Sequence, residues 1–211
     1  MSPVPDPPHP FDADDDLLRA GASAYRVYHN SRTVTAFNPG YGAPTRFAFF
    51  TGAGGKVVPV LYAAATPEAA VAESLLHDIP ATGGLLPYAR YADCVMGLLA
   101  VTRDLRLAKL RGTGLRRLRV EASELTDTDA SEYARTARWA KAAYDAGFDG
   151  LSWTARKCND ARAIVLFGDR CADAVEQDPT FGRIFQTGPG LDWLISMCGP
   201  LHVDVLPPSQ A

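Results

Sequence analysis

The chain has 211 residues, 47% of them hydrophobic, which is enough for one sizeable core and favours a single domain. Its 21 Lys and Arg residues and 24 Asp and Glu residues give a formal net charge of -3, so no overall positive field would draw it onto nucleic acid or an anionic membrane. The four cysteines are widely spaced without a CxxC pair, and no stretch approaches the roughly 20 apolar residues of a membrane span, which argues against a metal site and a membrane protein. Because the amino terminus does not resemble an export signal, the chain is predicted to be cytoplasmic.

Both ends of the chain are predicted to be tails. Residues 1–18 are rich in Pro and Asp and poor in large apolar side chains, so they offer too little apolar surface to offset the entropy lost on ordering. Residues 207–211 have the same character. We therefore expect a flexible N-terminal tail, one domain over residues 19–206 and a short C-terminal tail.

The first clear strand signal is the segment Val57–Ala65, which is rich in β-branched residues and bounded by Gly54-Gly55 and Thr66-Pro67. Pro59 has no backbone N–H to donate, so it indicates an edge position or the start of the strand. The glycine-rich segment before the strand is too short and wrongly placed for a dinucleotide-binding loop, and it is predicted to form a turn.

A helix is predicted to follow this strand at once. Thr66 is a suitable N-cap because its side-chain oxygen can accept a hydrogen bond from a backbone N–H, and Pro67 suits the first helical position. Apolar residues at helical spacing extend the predicted helix to about Asp78. Glu73 lies at the border of the apolar stripe, with His77 one turn beyond it.

The rest of the chain alternates between strand and helix signals. Strands are predicted at Cys94–Thr102, Asp104–Leu110 and Ala163–Phe167, and helices at Ser131–Ala146, with Gly147 as its C-cap, and at Leu191–Met197. This mixture predicts an α+β domain in which helices pack against mainly antiparallel sheets.

Four short elements carry side chains suited to chemistry, namely Tyr25-Arg26, Arg46, Tyr62 and Glu73. Taken singly, each has an ordinary interpretation. Arginines are mostly found in surface ion pairs, a strand tyrosine packs against its neighbours, and a glutamate at the border of a helix is solvated. Only the combination of the four suggests a site.

In order and spacing these elements resemble the RES domain family of bacterial toxin–antitoxin systems. In that family an Arg in a YR element, a second Arg opening an R-[FW] segment, a strand Tyr and a helix Glu line an NAD pocket. Phe37-Asn38-Pro39 and the segment Gly147–Gly168 are similar to further family motifs, so the resemblance spans residues 25–168. The chain departs from the pattern at Ala155, where the family often has a serine, and Ser152 is the nearby serine predicted to bind substrate.

The resemblance implies a single domain with a fold like that of the diphtheria-toxin-type ADP-ribosyltransferases. It further implies an enzyme that splits NAD at the nicotinamide–ribose bond, with water or inorganic phosphate as the acceptor; phosphate yields ADP-ribose-1''-phosphate. NAD is then a substrate rather than a resident cofactor, and the scheme requires no metal. The family also implies a growth-arresting toxin held inactive by a cognate antitoxin that carries a helix-turn-helix domain.

The chemistry of NAD gives each residue a possible role. Arg26 and Arg46 can offer planar forks of N–H donors to the pyrophosphate or to an incoming phosphate. Glu73 can stabilise the positive charge that develops on the ribose as the bond breaks. Tyr62 can lay its ring against the nicotinamide, and Tyr25 and Ser152 complete the predicted substrate-binding set.

Two other functions stay open from the sequence: transfer of ADP-ribose to a protein, and a catalytically inactive module that binds NAD or a partner. A Ser-His-Asp hydrolase is not favoured because the chain has no GxSxG elbow, and His77 at most borders the pocket. The basic run Arg111–Arg119 is more typical of a solvated face than of a site for an anionic partner.

Overall fold

The structure, a computed structural model, describes residues 4–207. Its strands, in chain order, are β1 (Asp15–Leu18), β2 (Ser23–His29), β3 (Val60–Ala64), β4 (Gly84–Leu86), β5 (Cys94–Val101), β6 (Leu105–Leu110), β7 (Gly150–Ala155), β8 (Cys158–Phe167), β9 (Val175–Ile184) and β10 (Val203–Val205). Its α-helices are α1 (Pro67–Ala72), α2 (Tyr88–Tyr91), α3 (Thr113–Arg117), α4 (Ala122–Leu125), α5 (Tyr133–Asp145), α6 (Gly168–Cys171) and α7 (Gly188–Cys198).

Eight of the strands form one sheet in the order β1-β6-β7-β8-β3-β2-β5-β9. Neighbouring strands in this sheet pair antiparallel, except that β6 and β7 run parallel. The remaining strands, β4 and β10, form a separate parallel pair. The predicted α+β class, with helices packed on a mainly antiparallel sheet, is confirmed.

The two faces of the large sheet carry separate hydrophobic clusters, because successive side chains of a strand lie on opposite sides. We call the front face the one that carries Trp153 and Val165, over which the apolar sides of α1 and α5 pack. The back face carries Leu61 and Ile164. Since Leu61 lies on the back, its neighbour Tyr62 lies on the front, beneath the two helices.

Pro59 and the Thr66-Pro67 pair mark the starts of the strand and the helix around Tyr62, although β3 begins at Val60 and not at the predicted Val57. β3 starts directly after Pro59, although it lies between β2 and β8 in the middle of the sheet rather than at an edge. Thr66 caps α1, since its hydroxyl oxygen accepts a hydrogen bond from the Ala69 N–H at 3.1 Å, and Pro67 is the first helical residue. The local signals for these two starts are therefore correct.

The predicted extent of this helix is wrong, because α1 ends at Ala72 and not near Asp78. Glu73 is its C-cap residue, and the chain then continues in turns, with the Val71 carbonyl accepting hydrogen bonds from the N–H groups of both Leu75 and Leu76. Leu75 and Leu76 are nevertheless buried. Their apolar side chains thus produced a helical pattern, although turns bury them equally well.

The other predicted elements are present with differences of up to three residues at their ends, except that β8 begins five residues before the predicted strand. The predicted strands correspond to β5, β6 and β8, and the predicted helices to α5 and α7. Gly147 follows the C-cap of α5 with a φ of 87°, a left-handed conformation that favours glycine. No helix among the described residues is long and apolar enough to cross a bilayer.

The structure contradicts the prediction of a flexible tail for residues 4–18. Val4 is buried, the Trp139 indole N–H donates to the Pro5 carbonyl at 2.8 Å, and the Phe11 ring packs edge-on against Trp139 at a centroid distance of 6.2 Å. β1 extends the sheet by pairing with β6. The segment is too polar to build a core of its own, but its few apolar side chains fill positions on the core of the domain.

The acidic residues of this N-terminal segment also find partners in the domain. Asp12 and Asp16 form ion pairs with Arg117 and Arg111, at 2.6 Å and 3.0 Å. Part of the basic run Arg111–Arg119 is therefore neutralised within the chain and is not simply a solvated face. Residues 1–3 and 208–211, which belong to the two predicted tails, lie outside the described residues.

Candidate active site

A cavity of about 360 Å³ opens on the front face of the sheet, between β2, β3, α1 and the start of α5. Its wall contains five of the six residues that the sequence singled out, which are Tyr25, Arg26, Arg46, Tyr62 and Glu73. These residues are up to 48 positions apart along the chain, from 25 to 73. Their convergence on one cavity is the central geometric expectation from the sequence, and the structure confirms it.

Arg46 is a buried cation that has no carboxylate partner among residues 4–207. Its side chain is only 6% exposed, and its Nη1 donates to the carbonyl oxygen and to the hydroxyl oxygen of Thr128, both at 2.9 Å. Its guanidinium also lies over the Tyr133 ring at 5.4 Å. No ion pair involves Arg46 within residues 4–207. Burying a charge against neutral groups alone is unfavourable, so the site favours an anionic ligand.

Tyr62 holds the segment on which Arg46 lies. Its phenol oxygen accepts hydrogen bonds from the Thr45 hydroxyl and from the Phe47 backbone N–H, both at 3.0 Å. Burial raises the pKa of Tyr62 to about 12, so the phenol is neutral at physiological pH. Its ring meets Trp153 edge-on at a centroid distance of 6.0 Å. Tyr62 therefore positions Arg46 through both flanking residues while its ring forms part of the cavity wall.

Glu73 is the acidic group in this cavity wall. It ends α1, is half-buried, and its Oε1 accepts a hydrogen bond from the Lys157 backbone N–H at 3.2 Å, in the turn between β7 and β8. The Lys157 ammonium in turn donates to the Ile79 carbonyl at 2.9 Å. The carboxylate is thus oriented by a neutral donor, and it forms no ion pair within the described part of the chain.

Arg26 belongs to the cavity wall, but its guanidinium does not join that of Arg46. Its Nη1 donates to the Val34 carbonyl at 2.6 Å, and the group lies 5.9 Å from the Tyr28 ring, both on the back face. Burial lowers the pKa of Arg26 to about 10. Successive side chains along β2 lie on opposite faces of the sheet, so Tyr25 lies on the front face and Arg26 lies on the back face. The structure therefore does not show the expected pair of guanidinium forks.

Ser152 does not lie in the cavity, which corrects its predicted role in substrate binding. It is fully buried on the back face, where its hydroxyl donates to Asp16 Oδ2 at 2.6 Å. Its neighbour Trp153 faces the cavity instead, again because side chains alternate along β7. Ala155, at the position where a serine was expected, is fully buried and is not among the residues that line the cavity.

Asp16, the partner of Ser152, is the centre of a polar cluster on the back face. It forms ion pairs with Arg111 at 3.0 Å and with Arg162 at 3.3 Å. Burial opposes its ionisation, but hydrogen bonds from Arg111 and Ser152 together with the charge of Arg162 hold the pKa of Asp16 below its ordinary value. The Ser152 hydroxyl therefore helps to stabilise the fold.

The model of the RES domain family matches residues 23–186. The chain belongs to the RES domain family. The matched range includes every residue that the sequence proposed for the site. A comparison with curated proteins gave no match.

A solved structure is similar to this RES domain. It is the crystal structure of the M. tuberculosis MbcT-MbcA toxin-antitoxin complex, with a TM-score of 0.54 and 14% sequence identity. The likeness covers 79% of this chain and 85% of that chain. At such low identity the likeness establishes a common fold.

Sequence reasoning missed several residues that line the cavity of this RES domain. Tyr133 is 7% exposed and packs under Arg46, and Trp153 is 2% exposed with an indole N–H that has no hydrogen-bond partner in residues 4–207. In the sequence, Tyr133 stands out only as part of the apolar side of a helix, and Trp153 only as part of a family motif. Nothing in the local pattern separates an aromatic residue in a core from one in a cavity wall. His77 does border the cavity, as expected.

Proposed function

We propose that this RES domain cleaves NAD at the nicotinamide–ribose bond, with inorganic phosphate or water as the acceptor of the ADP-ribosyl group. The observation that carries the proposal is that the buried Arg46 and the Glu73 carboxylate lie in the wall of one aromatic-lined cavity. Neither has an oppositely charged partner among residues 4–207. NAD supplies the complement to both charges. Its pyrophosphate is an anion, and its ribose develops positive charge as the glycosidic bond breaks.

The proposed reaction breaks the bond between the ribose C1 and the nicotinamide nitrogen, and the electron pair of that bond stays with nicotinamide. Glu73 stabilises the resulting positive charge on the ribose, an effect that is strong in a cavity from which water is excluded. An oxygen of phosphate or water then bonds to C1, and in the case of water a proton is released. Arg46 binds the pyrophosphate or the acceptor phosphate through the guanidinium edge that Thr128 leaves free.

We further propose that the protein is the toxin of a toxin–antitoxin pair and arrests growth by depleting NAD in the cytoplasm. The solved structure that shares its fold is that of a toxin-antitoxin complex, MbcT-MbcA. By analogy, a cognate antitoxin with a helix-turn-helix domain is the proposed partner of this chain. A relationship of its fold to the ADP-ribosyltransferases is likewise a proposal that rests on the family resemblance.

The deciding experiment is incubation of the purified protein with NAD labelled in the adenosine part, with and without inorganic phosphate, followed by identification of the products. We expect release of nicotinamide, with the label in ADP-ribose-1''-phosphate or ADP-ribose. Label on a macromolecule would instead identify protein ADP-ribosylation. Saturable NAD binding with no nicotinamide released under either condition would contradict enzymatic cleavage and identify a binding module.

A further inference from the structure

Asp78, His77 and Tyr133 form a row of polar contacts that ends at the cavity wall. Asp78 Oδ1 lies 2.6 Å from His77 Nδ1, and His77 Nε2 lies 2.9 Å from the Tyr133 hydroxyl oxygen. His77 and Asp78 belong to the turns after α1, while Tyr133 is the first residue of α5. His77 and Tyr133 both line the cavity, whereas Asp78 is exposed. The hydrogen bond between His77 and Tyr133 therefore connects two segments that border the cavity.

The donors and acceptors of Asp78, His77 and Tyr133 determine the direction in which the Tyr133 hydroxyl points. An ionised carboxylate has no proton to donate, so the 2.6 Å contact with Asp78 Oδ1 favours the His77 tautomer that carries its proton on Nδ1. His77 Nε2 then carries a lone pair and accepts from the Tyr133 O–H. Because a phenol has a single proton, the Tyr133 oxygen is left with only lone pairs for any other partner.

The Tyr133 ring lies in the field of both charges that the proposed function uses. Burial raises the pKa of Tyr133; Arg46 and Arg156 act to lower it, and Glu73 and Asp78 act to raise it. The phenol is therefore neutral at physiological pH. Its ring packs against the Arg46 guanidinium, and its oxygen carries the negative end of the O–H dipole close to the groups proposed to bind NAD.

We infer that the Tyr133 oxygen accepts a hydrogen bond from a substrate hydroxyl, and that His77 and Asp78 are positioning residues that keep it an acceptor. The inference rests on the proposed function, under which the donor is a hydroxyl of the ribose that loses nicotinamide. This hydroxyl becomes a stronger donor as positive charge develops on the ribose, so its hydrogen bond to Tyr133 strengthens in the transition state.

One arm of the test needs no substrate. Long-range ¹H–¹⁵N correlation spectra of His77, recorded where the ring is neutral, report which ring nitrogen carries the proton. We expect the wild-type protein to show the Nδ1–H form. In an Asp78→Ala variant, the preference for that form should be reduced. A wild-type ring protonated at Nε2 would overturn the inference, because Tyr133 would then accept from His77 and direct its own proton elsewhere.

The second arm measures steady-state NAD cleavage. Tyr133→Phe keeps the ring under Arg46 and removes only the oxygen, so we expect kcat to fall about tenfold with little change in folding. His77→Leu should give a similar loss, and the double variant should be no worse than either single variant, because both remove the same interaction. His77→Gln should recover part of the activity, since its amide oxygen can accept from Tyr133.

The matched control is Tyr144→Phe, which removes a phenol hydroxyl group from the same helix, α5. The Tyr144 hydroxyl bonds to Asp169 and does not line the cavity, so kcat should stay at the wild-type value. If the wild-type protein cleaves NAD and Tyr133→Phe does so equally well, or if the losses in the double variant multiply, the inference alone is wrong. If the wild-type protein releases no nicotinamide, the proposed function fails, and the substrate contact of Tyr133 fails with it.

Discussion

The two faces of the central sheet use charged residues in opposite ways. On the back face, Asp16 is surrounded by Arg111, Arg162 and Ser152, so its charge is compensated within the chain. On the front face, Arg46 and Glu73 are held by neutral groups and form no ion pair among the described residues. Compensated charges stabilise a fold, whereas oriented charges without partners are available to a ligand. On this basis we propose that the polar residues of the back face are structural and that those of the front face are functional.

The largest effect that would test this comparison is expected for Glu73→Gln. The variant keeps an oxygen that can accept from the Lys157 N–H but loses the negative charge, so we expect kcat for nicotinamide release to fall about 10²- to 10³-fold. Glu68→Gln is the matched control, because Glu68 is exposed at the start of the same helix. A Glu73→Gln protein that is as active as the control would contradict the proposed role of the front-face carboxylate.

The next largest effect should distinguish the two arginines of the cavity wall. Arg46→Lys replaces a planar fork by a point charge in a buried site, and we expect kcat/KM to fall about 10- to 100-fold. Arg26→Lys should cost much less activity, because the Arg26 guanidinium donates to Val34 on the back face. Equal losses in the two variants would show that the Arg26 guanidinium contacts the substrate, which would contradict the comparison.

A smaller effect is expected for Tyr62→Phe, which removes the oxygen that accepts from Thr45 and Phe47. The Phe47 backbone N–H then loses its partner, so the free energy of unfolding should fall by about 1–3 kcal/mol. Catalysis should also weaken, because the segment that carries Arg46 is less well held. Denaturant unfolding and turnover are measured for this variant and for Tyr28→Phe, which serves as a control on the back face. Equal stability of the two variants would argue against the role of Tyr62 in positioning Arg46.

The smallest effect on activity is expected for Asp16→Asn on the back face. The pKa of Asp16 is lowered in the folded state, so its stabilising contribution is fully present above its unfolded pKa of about 3.9 and is lost as the pH falls through the folded value. We expect the variant to lose about 1–3 kcal/mol of unfolding free energy at pH 7, with the difference narrowing below about pH 4.

Turnover per folded molecule should be unchanged in Asp16→Asn, since the cluster does not line the cavity. Asp104→Asn is the control for an exposed ion pair, that of Asp104 with Arg19, and should change stability little. A loss of turnover in Asp16→Asn without a loss of stability would show that the two faces are functionally coupled.

Local signals located the boundaries of elements where the chemistry of a single residue marks them. Pro59, Thr66 and Pro67 act through their own backbone and side-chain chemistry, so their effects on β3 and α1 could be read directly. The end of α1 could not, because Leu75 and Leu76 are apolar whether a helix or a turn buries them. The N-terminal segment was misjudged for a related reason, since the surface that Val4 and Phe11 contact is contributed by distant parts of the chain.

By itself, the sequence determined the α+β class, the family and five of the residues that meet in the cavity, because these depend on residue types at characteristic spacings. Only the tertiary structure decided which of these side chains face the cavity. Along a strand, neighbouring residues lie on opposite faces, so Trp153 lines the cavity while Ser152 stabilises the back face, and the Arg26 guanidinium turns away from Arg46. The face that each one occupies is set by how the whole sheet packs, and this is a property of long-range contacts that no short motif contains.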